Sequence, residues 1–516
     1  MTPVTRRLQL PVLPARSAAP APPPVPAPGD DPPVRIGLLT LGCDKNTVDS
    51  ERILARLASA GATVSADTEA ADVVVVNTCG FIDAAKEESI DALLDAVRLK
   101  QQGRVRAVVA MGCLVQRYKQ ELLEEIPEVD LFLGLTEAEQ LVPMLRARGA
   151  LPAAAPVSTM ERPLRMLSTR TRHTSYLKVS EGCDHTCAFC AIPLMRGKHR
   201  STPMDVLVRE ARELEAQGVV ELNLISQDTT WYGRDLQRGG AADGGEFFVG
   251  RPFAGMAGPH VVTEAPPGRP GGGRGRLLAE LLRALLANTS LPWLRLFYMY
   301  PSGIQRDLVA LMASEPRLLP YLDMPIQHGA DSVLQRMRRP ERRATILERV
   351  GWLRAAIPDL TLRTTVIVGF PGETDEEFEA LVALLEEVRF DRVGAFPYSV
   401  EEGTSAATLP DPVPEDVKRE RLERLLDVQR TITLERNERW VGRETELLVD
   451  ELVGRDSDGA ADEGVRGLVG RTRAQALEVD GVVHVADARG ARPGQRIRVR
   501  ITEALEDDLI GEILEP

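Results

Sequence analysis

Three cysteines lie close together in residues 176–198, where Cys183, Cys187 and Cys190 follow a C-x3-C-x2-C spacing. A short apolar stretch at residues 176–179 predicts a strand that leads into a glycine-containing loop carrying all three thiols. Thiolates are soft ligands suited to iron–sulfur clusters, and one loop can supply several ligands to one cluster. Because a fully protein-ligated 4Fe–4S cluster takes four cysteines, this loop would leave one iron open to another kind of ligand.

Two other interpretations of this loop are open from the residues alone. A structural zinc ion could bind if His185 or His199 supplied a fourth ligand, although C-x3-C-x2-C is not among the usual zinc spacings. Alternatively, the three thiols could be unrelated core cysteines. The polar and glycine residues around Cys183, at positions 181–186, favour a loop over a core segment.

The other three cysteines, Cys43, Cys79 and Cys113, each follow an apolar run that predicts a strand: IGLLTLGC, ADVVVVNTC and RAVVAMGC. Helices are predicted after them, over residues 47–60, 84–99 and 114–125. Strands that alternate with helices indicate a parallel sheet, whose ligand sites lie at the carboxyl ends of the strands. The pattern favours a second, auxiliary cluster there. Three buried core cysteines are the alternative, because cysteine also packs as a small apolar side chain.

The cysteine loop and its flanks resemble the radical S-adenosylmethionine (SAM) methylthiotransferase family. The segments QDTTWYG (residues 227–233) and DMPIQH (residues 323–328) are similar to the branch that modifies small-subunit ribosomal protein S-12. The resemblance extends over roughly residues 34–514. It implies that SAM binds the open iron of the loop cluster and is cleaved to a 5′-deoxyadenosyl radical. It also implies that Cys43, Cys79 and Cys113 hold a second 4Fe–4S cluster, which carries the sulfur for transfer.

Repeated βα units after residue 172 predict a barrel whose chemistry lies at the carboxyl ends of its strands. Strands are predicted at residues 221–225, 293–298, 321–324, 361–368 and 392–396. The resemblance implies an incomplete TIM-like barrel of six units. It also makes five strand-end residues candidates for SAM binding: Gln227, Asp228, Gln327, Gly369 and Glu373. No catalytic side chain is assigned, because the clusters and SAM carry the chemistry.

Simpler structural roles compete with some of these assignments. Gln227 and Asp228 could be an ordinary polar loop end, and His328 could be a buried histidine with structural partners only. The glycine turn at residues 369–372 precedes a predicted capping box from Thr374 to Glu377. A helix is also predicted to follow Thr202 as its N-cap.

The fold class predicted for the whole chain is α/β with several domains. Residues 1–33 are rich in proline and alanine and predict a disordered tail. The N-terminal α/β domain is predicted over residues 34–150 and the radical SAM barrel over residues 172–413, with a disordered insertion predicted at residues 237–275. A charged helical connector at residues 414–440 leads to short alternating strands at residues 441–516, which resemble the small, OB-like β-barrel of a TRAM domain.

Charge and hydrophobicity narrow the class of partner. The net charge is −13, and residues 441–516 contain 10 Arg and no Lys against 17 Asp and Glu. Such an acidic barrel disfavours a nucleic-acid partner unless its arginines form one patch, and Arg496, Arg498 and Arg500 alternate along one predicted strand. No apolar run reaches 18 residues, so no membrane span is expected, and a cytoplasmic enzyme is predicted.

These observations lead to one function with two alternatives. The resemblance implies methylthiolation of the β-carbon of an aspartate in ribosomal protein S-12, with an electron donor such as flavodoxin or ferredoxin. The enzymatic alternative is a tRNA adenosine methylthiotransferase with the same clusters, although tRNA is disfavoured by the charge. A more remote alternative is a non-catalytic iron–sulfur protein that binds the ribosome.

Overall fold

The computed structural model of the chain describes residues 33–65, 67–151, 164–168, 171–236, 276–454 and 465–514. The predicted tail, up to residue 32, and the predicted insertion at residues 237–275 lie outside the described residues. The described residues form two compact units. The first contains those up to residue 168 together with Ile192–Gly197, and the second contains the others from residue 171 onward.

The first unit is a parallel sheet covered by helices. Its strands are β1 (Arg35–Thr40), β2 (Thr63–Ser65), β3 (Val73–Thr78), β4 (Ala107–Gly112) and β5 (Leu131–Leu133). Its helices include α1 (Asp44–Ser59), α2 (Asp83–Gln101), α3 (Cys113–Glu125) and α4 (Leu141–Ala147). The strand order is β2-β1-β3-β4-β5, and every neighbouring pair is parallel. Two apolar clusters flank the sheet, which explains why β3 and β4 are buried throughout.

The helices that follow the three cysteines begin earlier than the sequence pattern predicted. Helices α1, α2 and α3 start at residues 44, 83 and 113 instead of 47, 84 and 114. The chain passes from strand to helix almost at once, because Gly42 and Gly112 adopt φ values of +91° and +106° that few other residues adopt. Cys43 is the N-cap of α1, and Cys113 is the first residue of α3.

The second unit begins with an open parallel sheet that curves as a partial barrel. Its strands are β6 (Thr174–Lys178), β9 (Glu221–Ile225), β10 (Trp293–Leu296), β11 (Leu318–Asp323), β12 (Thr361–Val368) and β13 (Arg392–Pro397), and a short hairpin is formed by β7 (Ser180–Glu181) and β8 (Arg200–Ser201). The sheet order is β13-β12-β11-β10-β9-β6, with all pairs parallel and no pairing between the two edge strands among the described residues. The predicted six-unit, incomplete barrel is therefore confirmed.

Helices connect these strands. They are α6 (Met204–Ala216), α7 (Arg276–Asn288), α8 (Arg306–Ser314), α9 (Asp331–Arg336), α10 (Arg343–Ala356), α11 (Asp375–Val388) and α12 (Glu415–Glu438), while the short α5 (Ile192–Arg196) belongs to the first unit. The capping box predicted from Thr374 to Glu377 is present at the start of α11. The predicted start of α6 was wrong by one residue, because Pro203 takes the N-cap position and no side chain caps the helix.

A small closed barrel ends the second unit. It consists of β14 (Glu444–Gly454), β15 (Val465–Thr472), β16 (Val483–Val485), β17 (Arg496–Ala504) and β18 (Leu509–Ile513). Closure follows the order β14-β15-β16-β18-β17 around an apolar core. Closing the sheet removes the unpaired strand edges that an open sheet of this size would expose. The C-terminal β-barrel predicted from the alternating strands is confirmed.

A buried polar network joins this small barrel to the amino ends of the parallel strands. Glu221, the first residue of β9, accepts hydrogen bonds from Arg471 of β15 (Nη1–Oε2 2.5 Å) and from Arg295 of β10 (Nε–Oε1 2.8 Å). Arg471 also donates to both carboxylate oxygens of Asp450, which lies 2.8 Å from His173 Nε2. The network fixes the small barrel at the end of the sheet opposite the cysteine loop.

Burial and charge oppose each other at Glu221. Burial alone would raise the pKa of its carboxyl, but Arg471 and Arg295 outweigh this effect and hold the pKa below its ordinary value. All three side chains are fully buried. Removing Arg471 would leave Glu221 with Arg295 alone and would take from Asp450 its arginine partner, so one buried negative charge would stay uncompensated.

No helix in the described part of the chain has the length and apolar character needed to cross a membrane. This agrees with the absence of a long apolar run in the sequence.

We predict that Arg471→Met destabilises the second unit by about 3–5 kcal/mol, the usual cost of breaking a buried ion pair from one side. The measurement is urea unfolding followed by tryptophan fluorescence, since Trp293 donates a hydrogen bond to Glu446 at this junction. Arg498→Met is the matched control, because Arg498 is exposed and pairs with Glu444 at the surface. Equal midpoints for the two variants would contradict this role of the network.

Candidate functional site

The C-x3-C-x2-C loop follows β6 and β7 and is fixed to the barrel by backbone hydrogen bonds. Ala188 donates to the carbonyl of Met337 and accepts from the N–H of Ala406. Cys183 and Cys187 are buried, and Cys190 is half-buried. All three belong to the second unit, at the carboxyl end of its first strand. The structure therefore places this triad where a barrel of this type carries its chemistry.

The surroundings of the loop argue against a zinc ion. Among the described residues, no three His, Cys, Asp or Glu side chains converge at the spacing of a single metal ion. His185 Nε2 lies 2.7 Å from Asp228 Oδ2, and His199 Nε2 lies 3.1 Å from the Ser201 hydroxyl. Each cysteine of a cubane binds a different iron, so cluster ligands need not converge on one point. The three-thiol donor set fits a 4Fe–4S cluster better than a tetrahedral zinc ion.

His185, within the loop, is held by aromatic rings and a carboxylate. Its ring stacks on Tyr300 at 4.4 Å and lies 3.9 Å from the Trp231 ring, centroid to centroid. Asp228, which binds His185, is itself fixed because it accepts hydrogen bonds from the backbone and hydroxyl of Thr230. Asp228 thus connects the end of β9 to the cysteine loop.

The other two polar candidates from the sequence, Gln227 and Gln327, have surroundings that differ from those of Asp228. Gln227 is half-buried, and neither atom of its side-chain amide has a hydrogen-bond partner among the described residues. An unpaired buried amide is costly unless a ligand or water satisfies it. Gln327 adopts a left-handed φ of +70°, a strained conformation for glutamine, and its backbone bridges to Val366. Both residues lie at carboxyl ends of barrel strands.

Glu373 closes the turn after β12 with its own carboxylate. One oxygen accepts hydrogen bonds from the N–H groups of Gly369 (2.9 Å) and Phe370 (3.3 Å), and the other accepts from Arg421 (2.8 Å). A Cβ on Gly369 would lie 2.3 Å from Lys418 Cγ, so glycine is required there. The buried His328 Nε2 lies 3.4 Å from the same carboxylate. These contacts give the turn a defined shape without any ligand.

The second triad lies on the first unit. Cys43, Cys79 and Cys113 follow β1, β3 and β4, which are adjacent in the sheet order. Cys79 and Cys113 are buried and Cys43 is exposed. The fold therefore brings together, at one edge of one sheet, three thiols that are widely separated in sequence, as the βα pattern predicted.

Glycines allow the close packing around this triad. A Cβ on Gly42 would lie 2.8 Å from Cys79 Sγ, and a Cβ on Gly112 would lie 2.4 Å from the carbonyl oxygen of Thr78. Any larger residue would displace the thiol or the strand end that positions it.

Arg196 supplies a positive charge to the same triad. It donates to Asp49 (Nη1–Oδ2 3.1 Å) and to Asn46 (Nη2–Oδ1 2.6 Å), whose Oδ1 also lies 3.7 Å from Cys113 Sγ. Burial raises the pKa of the Cys79 thiol and raises that of Cys113 to about 12, while the charge of Arg196 lowers both. Arg196 thus offsets part of the cost of holding thiolates in this buried place.

Sequence reasoning missed several residues around the two triads, among them Arg196. Tyr300 and Arg339 were not identified, because nothing in their local sequence separates them from ordinary surface or core positions. Arg339 lies in an arginine-rich stretch, RMRRPERR, which is typical of a solvated segment. The RGK segment directly after the cysteine loop was the only available signal for Arg196.

Sequence profiles of known families match three parts of the chain. The profile of an uncharacterized protein family, UPF0004, matches residues 35–134, and that of the radical SAM superfamily matches residues 177–385. The TRAM domain profile matches residues 441–514. The first range covers the parallel sheet of the first unit, and the third covers the closed C-terminal barrel. The second range covers the open sheet except for β13 and the start of β6.

Curated relatives match over nearly their full length. The ribosomal protein uS12 methylthiotransferase RimO of Geobacter sulfurreducens is 40% identical over 485 residues, which cover 93% of this chain and 98% of the relative. Proteins of the same name from Symbiobacterium thermophilum and an Anaeromyxobacter species are 41% and 42% identical, covering 94% and 93% of this chain and 92% and 93% of the relatives.

A solved structure with a similar fold is the radical SAM methyltransferase TsrM from Kitasatospora setae, with cobalamin and a [4Fe-4S] cluster bound. Its TM-score is 0.50 at 14% sequence identity, and the match covers 73% of this chain and 77% of that one. At this identity the likeness concerns the fold alone.

We predict about eight irons per chain after anaerobic reconstitution, since two triads would each hold a four-iron cubane. Changing Cys183, Cys187 and Cys190 together to Ala should leave about four irons, and changing Cys43, Cys79 and Cys113 should also leave about four. Metal analysis and visible absorption measure both. Complete loss of iron in either variant, or stoichiometric zinc in the purified protein, would show that the triads are not independent cluster sites.

Proposed function

Because this chain belongs to the family of ribosomal protein uS12 methylthiotransferases, we propose that it attaches a methylthio group to the β-carbon of an aspartate in ribosomal protein uS12. The observation that carries the proposal is the pair of cysteine triads, each at the carboxyl ends of parallel strands. One triad is sufficient for an enzyme that only cleaves SAM. A second is expected where a sulfur atom must also be transferred.

The proposed ligands are the residues that form the two triads. Cys183, Cys187 and Cys190 would hold the cluster at which SAM binds, and the thiols of the first unit would hold the auxiliary cluster. When bound, the clusters and SAM supply the electron, the 5′-deoxyadenosyl radical, the methyl group and the sulfur. An external one-electron donor such as flavodoxin or ferredoxin is expected to supply the electrons.

The chain's own residues would bind and orient SAM. The amide of Gln227 has no partner among the described residues and is suited to hydrogen bonds with a polar group of SAM. Asp228 would act by fixing His185 beside the cysteine loop, since its carboxylate already accepts three hydrogen bonds. We infer that Gln327, whose strained backbone follows β11, two strands from β9 in the sheet, presents its amide to the same ligand.

Glu373 and Gly369 would form a wall of this site. The N–H groups of Gly369 and Phe370 donate to Glu373, so they are already satisfied inside the protein. We therefore propose that this turn shapes the pocket. It would touch SAM mainly through van der Waals packing, and less through hydrogen bonds from those N–H groups.

The C-terminal barrel favours a protein substrate over RNA. Arg496, Arg498 and Arg500 do share one exposed face of β17, as the alternation suggested. Each arginine, however, pairs with a glutamate across the sheet: Arg496 with Glu446, Arg498 with Glu444, and Arg500 with Glu444 and Glu512. Because these guanidinium groups are neutralised within the barrel, the face lacks the excess positive charge that phosphate binding requires.

The proposed substrate is tested by mass spectrometry of ribosomal protein uS12 and of bulk tRNA from cells with and without this gene. We expect a methylthio mass gain on one aspartate of uS12, which disappears in the deletion strain. Reintroducing the wild-type gene should restore it. A gene in which Cys43, Cys79 and Cys113 are changed to Ala should not, because sulfur transfer needs the auxiliary cluster.

The tRNA alternative has a distinct outcome in the same experiment. If uS12 is unmodified and a methylthio-adenosine disappears from tRNA in the deletion strain, the substrate is RNA and the proposal for uS12 is wrong.

A further prediction concerns the paired arginines. We expect the protein to bind tRNA weakly, with a shallow dependence of affinity on salt, because the arginines of β17 release few counterions. Changing Glu444 and Glu446 to Gln should expose these arginines and strengthen binding at least severalfold at low salt. Filter binding over a salt series measures this. Tight binding and a steep salt slope in the wild-type protein would contradict the interpretation that the arginines of β17 are neutralised by their glutamate partners.

A further inference from the structure

Arg339 lies between α9 and α10 and points a fully buried guanidinium at the cysteine loop. Its Nη1 donates to the sulfur of Cys187 at 3.8 Å, a distance within the range for a hydrogen bond to sulfur. Its side chain is 0% exposed. The contact joins a permanent positive charge to a proposed cluster ligand.

The surrounding groups fix the direction of this guanidinium. Nη2 donates to the carbonyl oxygen of Pro325 at 2.9 Å, and the guanidinium carbon lies 3.9 Å from the centre of the Tyr300 ring. Nε lies 3.2 Å from Glu341 Oε2, an ion pair without the alignment of a hydrogen bond. Because Nη2 and Nε of the guanidinium already have partners, Nη1 faces Cys187.

The charge of Arg339 is maintained despite its burial. Arginine is not deprotonated in proteins, so the guanidinium keeps its charge in this buried place. Arg339 therefore faces Cys187 as a cation.

Reduction of a 4Fe–4S cluster adds one negative charge to the iron, sulfide and thiolate groups. A nearby cation and a hydrogen bond to a ligand sulfur both stabilise the more negative state, and hydrogen bonds to the sulfurs are known determinants of cluster potential. The effect is strong in a buried site, where water screens the charge poorly.

We propose that Arg339 is a positioning residue that raises the reduction potential of the cluster bound by Cys183, Cys187 and Cys190, and so eases reduction of that cluster by its electron donor. The inference rests on the proposed function for the identity of the cluster. Glu341, whose carboxylate lies beside Nε, moderates the effect by partly compensating the guanidinium charge.

The test is a redox titration followed by electron paramagnetic resonance. It uses the full-length chain with Cys43, Cys79 and Cys113 changed to Ala, so that the signal comes from one cluster. Arg339→Met should decrease the equilibrium constant for one-electron reduction at least tenfold, a shift of about 59 mV to lower potential. Arg339→Lys, which keeps the charge, should shift it by less than half as much.

Two matched variants separate this effect from general damage. Arg295→Met also removes a fully buried arginine that lies over a tyrosine ring, at 4.5 Å from Tyr321, beside a buried glutamate. Because Arg295 contacts no cysteine, this variant should leave the potential unchanged. Glu341→Gln should move the potential in the opposite direction from Arg339→Met, since it leaves the guanidinium charge uncompensated.

The possible outcomes are distinct. Unchanged potential in Arg339→Met with a fully occupied cluster would overturn the inference. If Arg339→Met loses its iron, Arg339→Gln serves as the neutral variant and should show a lower potential. Loss of iron from both neutral variants, with normal iron and potential in Arg339→Lys, would assign Arg339 a purely structural role. A protein with no cluster at this triad before any change to Arg339 would instead count against the proposed function.

Discussion

In both cysteine triads, burial opposes the negative charge that the thiols must carry in order to bind iron, and the surrounding structure depends on how this opposition is met. Iron binds cysteine as thiolate, yet Cys79, Cys113, Cys183 and Cys187 are buried, and burial raises the pKa of Cys79, Cys113 and Cys183. The positive charge of bound iron would resolve this conflict. Each triad also has one buried arginine nearby, Arg196 in the first unit and Arg339 in the second. The two triads thus follow the same electrostatic principle on different folds.

The second unit separates stability from chemistry along its parallel strands. At their amino ends, Glu221, Arg295 and Arg471 form a buried network with the C-terminal barrel. At their carboxyl ends lie the cysteine loop, Gln227 and Gln327. This division is common in barrels of βα units, where loops at the carboxyl ends carry function and the opposite face contributes to stability. The small barrel can therefore be fixed firmly without blocking the site.

A buried ionic network is an expensive way to join two parts of a chain. A well-packed apolar contact would often be as stable, because charges lose their hydration on burial. The network does restrict the geometry, since Arg471 must meet Glu221 and Asp450 together. We infer that it selects one orientation of the C-terminal barrel. The arginines of β17 pair with glutamates of the same barrel, and these pairs do not depend on that orientation.

The sequence by itself determined the two cysteine triads and the type of fold. The C-x3-C-x2-C spacing is local, and the apolar runs before Cys43, Cys79 and Cys113 show the βα repeat directly. Parallel strands then necessarily bring their carboxyl ends to one edge of a sheet. Only the tertiary structure decided which polar residues face the triads. Arg339 meets Cys187 across 152 residues of chain, and Arg196 meets Asn46 across 150. Such contacts depend on how loops from distant elements pack, and no local pattern of charge or hydrophobicity records that.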